Sequence, residues 1–196
     1  MLNLPNILTL SRIAIIPVVI ATFFFDSNAM RWTAVSLFIL AAVTDFFDGY
    51  LARRANQVSS LGRFLDPIAD KLLVASILLM LVGFNRIEEW SYIPALVILL
   101  REILVSGLRE FLAELHVSLP VTKLAKGKTT VQLVALGFLI VGTAAPLAKP
   151  AGEFLLWIAA LLTLITGYDY LKAGLKHMRG LESRGPTEAT NTDTKP

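Results

Sequence analysis

Long apolar stretches separated by short polar links dominate the chain. Six of them approach or reach the about 20 residues that a helix needs to cross a bilayer. They run roughly over Leu8–Phe25, Trp32–Phe47, Ile68–Phe84, Tyr92–Leu112, Val131–Leu147 and Phe154–Leu171. The second stretch is short until it is extended into the polar segment that follows it. The pattern predicts an all-α integral membrane bundle of six transmembrane helices.

Composition supports one membrane domain. The chain has 196 residues, of which 55% are hydrophobic, and its mean hydropathy is +0.66. Six apolar spans use most of that length, so we expect a single membrane-embedded domain over residues 1–181. Residues 182–196 are polar and lack any periodicity, which predicts a disordered tail. The absence of cysteine excludes disulfides and Cys-ligated metal, and two histidines argue against a His-based metal site.

Basic residues are distributed unevenly between the links, and this predicts the orientation. They cluster between stretches two and three, between four and five, and after six, whereas the other links carry only Arg31, Arg86 and Lys149. By the positive-inside rule, both termini and the second link face the cytoplasm. We therefore expect a multi-pass protein of the cell inner (cytoplasmic) membrane. The basic pI, near 9.3, then reflects topology and contact with membrane lipid, and no nucleic-acid partner is expected.

Four aspartates follow the second stretch and open the third. They lie in the pattern D-x2-D-G-x2-A-R-x8-G-x3-D-x3-D, at Asp45, Asp48, Asp66 and Asp70. Each pair is spaced by three or four residues, so each pair shares one face of a helix. Clustered carboxylates at a membrane edge are costly when bare, because the low dielectric and their mutual repulsion both disfavour the charges. Oxygen ligands of this kind predict bound Mg²⁺ or Mn²⁺.

Small residues and an arginine accompany the aspartates. Gly49 and Ala52 leave room beside the helix backbone, and Gly62 lets the loop approach a ligand closely. Arg53 borders the same gap, and a guanidinium suits phosphate oxygens through paired hydrogen bonds. The segment predicts a metal-bound diphosphate site with an open slot.

All eight fixed positions of this pattern resemble the signature of the CDP-alcohol phosphotransferases. The resemblance implies a membrane enzyme that transfers the phosphatidyl group of CDP-diacylglycerol to an alcohol and releases CMP. It implies that the four aspartates hold two divalent ions and that Asp70 is also the general base. It further implies that Gly49, Ala52, Arg53 and Gly62 contact the cytidine diphosphate, and that the protein forms a homodimer.

A second set of charged residues concerns the acceptor. Arg101 lies inside the fourth apolar stretch, where a charge is costly and by default functional. Arg109 follows eight residues later, about 80° round the helix, and Lys126 and Lys128 open the fifth stretch. These cations predict a pocket for a phosphorylated alcohol, with Glu102 as the ion-pair partner of Arg101.

Three segments indicate which alcohol is used. NLPNILTLSR, REILVSGLREFLAEL and AKGKTTVQLVALG resemble the glycerol 3-phosphate branch of the family. The expected acceptor is therefore sn-glycerol 3-phosphate, and an inositol phosphate remains the alternative within the family.

Other interpretations of the charged residues stay open. The aspartates could form an ion or proton relay of a transporter, or the diphosphate site of a prenyltransferase, although neither explains the spacing of the glycines and the arginine. Lys126 and Lys128 could be merely positive-inside charge. Asn6, Thr9 and Arg12 either line the site or cap and anchor the first helix.

Overall fold

The computed structural model describes the backbone of residues 4–54, 60–115 and 123–182, and the side chains of 7, 9–44, 65, 67–115 and 124–176. Within these residues the regular structure is helical, which confirms the predicted all-α class. The six α-helices are α1 Leu4–Phe23, α2 Asn28–Arg54, α3 Ser60–Gly83, α4 Tyr92–Glu114, α5 Lys123–Val141 and α6 Ala148–Glu182. Two short 3-10 helices, Glu89–Ser91 and Gly142–Ala144, precede α4 and follow α5. The tail predicted over 182–196 lies outside the described residues apart from its first backbone position.

Helices α5 and α6 form the most extensive packed pair. Helix α1 packs against α2 and α3, α2 against α5, and α4 against α6. At Gly152 a side chain on α6 would meet Leu139 of α5, because a Cβ atom there would lie 2.8 Å from Leu139 Cγ. Glycine thus permits the close approach of the two helices that builds the centre of the bundle.

The outward surface is apolar, as lipid contact requires. Helix α4 exposes Leu100, Ile103 and Leu104, while four of its charged residues line an inner cavity, namely Arg101, Glu102, Arg109 and Glu110. Three helical segments are long and apolar enough to cross a membrane, namely Glu89–Glu114, Leu124–Ala144 and Ala148–Lys176. Two further apolar helices, Thr9–Phe23 and Asn28–Thr44, are shorter in the described part of the chain. The protein is therefore a multi-pass membrane bundle.

The three basic residues of the sparsely charged links all have local partners. Arg31 pairs with Asp26 at 2.9 Å, and Lys149 pairs with Glu88. Arg86 is buried, lies 4.2 Å above the centre of the Phe23 ring and donates to the backbone oxygen of Ile140. Burial, followed by the charge of Arg31, lowers the pKa of Arg86, although a guanidinium remains charged. Each of these three cations is thus satisfied by groups of its own end of the bundle, and the orientation of the links stays a prediction.

Candidate active site

A polar cavity of about 380 Å³ lies between α3, α4, α5 and α6. Asp70 and Lys71 of α3 line it on one side. Arg101 and Arg109 of α4 and Lys128 of α5 line it as well. The cavity therefore joins the last aspartate of the motif to three of the four cations predicted to bind the acceptor.

Helix α4 presents two polar rows to this cavity. Arg101, Val105, Arg109 and Ala113 recur every four residues, and the adjacent row is Glu102, Ser106 and Glu110; all seven line the cavity. Residues spaced by four lie one above the other on a helix. One face of α4 is thus both cationic and rich in hydrogen-bond acceptors, although the opposite face contacts lipid.

Arg101 is held by groups on two helices. Its Nη1 atom lies 3.3 Å from Glu102 Oε1, and its Nη2 atom donates to Thr166 Oγ1 on α6 at 3.0 Å. Its guanidinium carbon lies 5.7 Å from the centre of the Tyr170 ring. These contacts confirm the predicted pairing with Glu102 and fix the guanidinium at the inner part of the cavity.

Gly167 provides the space for this arginine. A Cβ atom at Gly167 would lie 3.0 Å from Arg101 Cγ and 3.4 Å from Arg101 Nε. The α6 backbone therefore forms the surface on which the stem of the arginine lies.

Lys128 is the most deeply buried cation of the cavity. Only 4% of its side chain is exposed, and its ammonium pairs with the same Glu102 carboxylate that contacts Arg101. Asp70 is near enough to interact with it electrostatically. Pairing is needed, because a buried ammonium without a counter-ion is strongly destabilising. The sequence predicted Glu102 as the partner of Arg101 alone, whereas in the structure the same carboxylate also neutralises part of the charge of Lys128.

Arg109 differs from Arg101 and Lys128. Its side chain is exposed and lines the cavity, and it forms no ion pair with any described residue. It is thus a cavity-lining guanidinium with its charge available to an incoming anion.

The other predicted residues are placed as follows. Lys126 is exposed and does not belong to the described lining of the cavity, so its role as a phosphate ligand stays a prediction. Thr9 and Arg12 are buried on α1 and both make polar interactions, which fits either earlier interpretation of them. The side chain of Asn6 is outside the described residues.

Most of the aspartate motif is described by its backbone alone. Asp45, Asp48, Gly49, Ala52 and Arg53 lie in the last part of α2, and Gly62, Asp66 and Asp70 lie in α3. The helical spacing predicted within each aspartate pair is therefore present, whereas the prediction that Gly62 lies in the loop is wrong, because α3 begins at Ser60. Among the four aspartates only the side chain of Asp70 is described, and it makes a polar interaction within the site.

The donor chemistry of the motif fits a hard divalent ion. Two pairs of carboxylates, each pair spaced by about one helical turn, offer oxygen ligands, and Asp70 of the second pair lines the cavity. The described side chains include no group of three or more metal-binding residues, and the side chains of Asp45, Asp48 and Asp66 are not among them. Metal binding by the aspartates stays a prediction.

Five polar residues of the lining have no role among the sequence predictions. They are Lys71, Ser106, Glu110, Thr129 and Tyr170. Ser106 and Glu110 could have been predicted, because they follow Glu102 at intervals of four residues on the same helix. No local sequence pattern predicts Thr129 or Tyr170, because only the packing of α5 and α6 against α4 brings them to the cavity.

Comparison with known proteins identifies the family. A family model described as CDP-alcohol phosphatidyltransferase matches residues 2–165. The chain belongs to this family. A Rickettsia bellii protein named CDP-diacylglycerol–glycerol-3-phosphate 3-phosphatidyltransferase is 53% identical over 178 residues, covering 89% of this chain and 97% of that protein. An Escherichia coli K12 protein with the same name is 43% identical over 179 residues, covering 87% of this chain and 94% of that protein.

A third relative extends the likeness. A Cereibacter sphaeroides protein of the same name is 41% identical over 215 aligned positions, covering 90% of this chain and 97% of that protein. As a CDP-alcohol phosphatidyltransferase, the protein is an enzyme, and the predicted resemblance is confirmed. Because the chain belongs to this family, the interpretations of the aspartate motif as a transporter relay or a prenyltransferase site are wrong.

Proposed function

We propose that this enzyme transfers the phosphatidyl group of CDP-diacylglycerol to sn-glycerol 3-phosphate, giving phosphatidylglycerophosphate and CMP. The observation that carries the proposal is the cavity in which Asp70 faces Arg101, Arg109 and Lys128. The names of the relatives support the same donor and acceptor.

The cations of the cavity suit an acceptor with a phosphate group. Arg109 lines the cavity without an ion pair to any described residue, and a guanidinium binds phosphate oxygens through strong paired hydrogen bonds. Arg101 and Lys128 add positive charge deeper in the cavity, moderated by Glu102. A neutral alcohol such as glycerol, serine or choline would leave Arg109 without a partner.

The proposed chemical step is a direct displacement at phosphorus. A hydroxyl oxygen of glycerol 3-phosphate attacks the phosphorus that carries the diacylglycerol, forming a new P–O bond. The phosphoanhydride bond to CMP breaks, and CMP leaves with the electron pair. Asp70 accepts the proton of the attacking hydroxyl, a role that requires the carboxylate form and a position beside the acceptor.

Asp45, Asp48, Asp66 and Asp70 would hold two Mg²⁺ or Mn²⁺ ions. When bound, the ions supply charge that polarises the phosphoryl group and stabilises the leaving phosphate. Arg53, Gly49, Ala52 and Gly62 would bind and orient the cytidine diphosphate, as the family resemblance implies.

The acyl chains of the donor require an apolar surface next to the aspartates. An apolar groove of about 530 Å³ runs between α2 and α5, and Trp32, Phe38, Val43 and Gly137 are among its lining. From Trp32 to Val43 the described lining of the groove follows α2 for about 16 Å, toward the segment that carries Asp45. We assign one acyl chain of CDP-diacylglycerol to this groove, because the chain would continue directly from the diphosphate site.

The location and assembly are proposed on sequence grounds. The distribution of basic residues supports an inner-membrane enzyme with its active site on the cytoplasmic side. The homodimer is implied by the resemblance alone.

One assay tests the proposed function. Purified full-length enzyme is supplied with CDP-diacylglycerol and Mg²⁺ or Mn²⁺, and CMP release is measured with glycerol 3-phosphate, inositol 1-phosphate, glycerol and serine. We expect turnover with glycerol 3-phosphate at least about tenfold above the others, since glycerol and serine lack a phosphate for the cations and the names of the relatives favour glycerol 3-phosphate over an inositol phosphate. Preference for inositol 1-phosphate would contradict the acceptor, and preference for a neutral alcohol would contradict the phosphate pocket itself.

A further inference from the structure

The second polar row of α4 has hydrogen-bonding capacity that the proposed reaction leaves unused. Glu102 is occupied by Arg101 and Lys128. Ser106 and Glu110, one and two turns further along, line the same cavity. Neither is needed to bind a phosphate, and a carboxylate such as Glu110 would repel one.

The bond between Ser106 and Glu110 is weak. Ser106 Oγ accepts a hydrogen bond from Lys71 and donates to Glu110 Oε1 over 3.3 Å. Hydroxyl–carboxylate bonds are ordinarily much shorter, about 2.5–2.7 Å. Glu110 is exposed to the cavity and forms no ion pair with any described residue. If these two oxygens move apart by about 1 Å, a hydroxyl group fits between them and forms a bond of ordinary length with each.

Ser106 also lies between the groups assigned to the two ends of the acceptor. Through Lys71 it contacts the part of α3 that carries Asp70, the proposed base. Arg109, the proposed phosphate ligand, follows on α4 after a rise of about 4.5 Å. On glycerol 3-phosphate, a middle hydroxyl likewise lies between the reacting hydroxyl and the phosphate.

We propose that Ser106 and Glu110 recognise the non-reacting hydroxyl of the acceptor. The hydroxyl donates to the Glu110 carboxylate and accepts from Ser106 Oγ, replacing the long bond between them. The enzyme would thereby select phosphorylated alcohols that carry a second hydroxyl beside the reacting one. This inference rests on the proposed function, because it assumes glycerol 3-phosphate as acceptor.

A substrate lacking that hydroxyl tests the inference. The kcat/KM values for glycerol 3-phosphate and for 3-hydroxypropyl phosphate are measured with full-length wild type, Ser106→Ala and Glu110→Ala. We expect the wild type to prefer glycerol 3-phosphate by about 10–100-fold, the value of a hydrogen bond to a charged group. Both variants should lose most of this preference, through poorer use of glycerol 3-phosphate alone.

Glu114→Ala is the matched control. Glu114 is the next acidic residue at the same four-residue spacing on α4, but it does not belong to the described lining of the cavity. It should keep the wild-type preference. Thermal unfolding of each variant measures any loss of stability, and the ratio between the two substrates does not depend on how much enzyme is folded.

The outcomes separate this inference from the proposed function. If the wild type uses glycerol 3-phosphate but treats both substrates alike, or if the variants slow both substrates equally, the inference is wrong and the proposed function stands. If the wild type does not use glycerol 3-phosphate, both are wrong.

Discussion

Gly167→Ala should weaken acceptor binding although it replaces no charged residue. The new Cβ atom would lie 3.0 Å from Arg101 Cγ, whereas carbon atoms in normal contact are about 3.5–4.0 Å apart. The arginine must therefore move by a few tenths of an ångström. Because Cγ is close to the α4 backbone, rotation of the guanidinium alone does not relieve the contact.

Displacement of Arg101 disturbs the ion pairs that Arg101 and Lys128 form with Glu102. The contact between Arg101 Nη1 and Glu102 Oε1 is already 3.3 Å, and further lengthening takes it beyond hydrogen-bonding range. Glu102 also holds Lys128, so both cations shift. Misplacement of a binding group by about 1 Å can cost up to 100-fold, and we expect KM for glycerol 3-phosphate to rise about tenfold. KM for CDP-diacylglycerol should stay near the wild-type value.

Gly174→Ala is the control for packing damage. It lies on the same helix, and its new Cβ atom would meet Leu108 of α4 at 2.9 Å. Overpacking of this kind destabilises by about 1–3 kcal/mol, so both variants should show similarly lowered thermal unfolding temperatures. Steady-state kinetics distinguish them, because only Gly167→Ala should raise KM for the acceptor. An equal rise in both variants, or no rise in Gly167→Ala, would refute the assignment of Arg101 to the acceptor site.

Four further predictions concern the proposed mechanism. Asp70→Asn should lower kcat by about 10²–10⁴-fold with less effect on donor binding measured by calorimetry, and normal turnover would exclude Asp70 as base. EDTA should abolish CMP release and added Mg²⁺ or Mn²⁺ should restore it, whereas full activity in EDTA would contradict the two-metal site. Arg109→Ala should raise KM for glycerol 3-phosphate about 10–100-fold, while Lys126→Ala, outside the described cavity lining, should change it little; the reverse order would exchange their roles. Gly137→Leu should narrow the α2–α5 groove and slow turnover of a dipalmitoyl donor more than that of a dihexanoyl donor, and equal slowing would place the acyl chains elsewhere.

The sequence alone determined the features that depend on local pattern. Apolar stretches of bilayer length predicted the helices, since no other regular structure satisfies the backbone of a single segment within lipid. The spacing of Asp45, Asp48, Asp66 and Asp70 within two helices also followed from the helical repeat, and their oxygen chemistry indicated the class of metal. The family resemblance rested on these same positions.

Only the tertiary structure decided which polar side chains share a cavity. Arg101 and Arg109 lie about 80° apart on an isolated helix, and their common cavity arises because α3, α5 and α6 close around that face of α4. Lys126 and Lys128 are equivalent in the sequence, yet Lys128 is buried against Glu102 and Lys126 is exposed. Thr166 and Tyr170 reach Arg101 because Gly167 and Gly174 allow α6 to approach α4 closely. Such contacts depend on how distant helices are set against each other, and no local repeat in the chain encodes that relation.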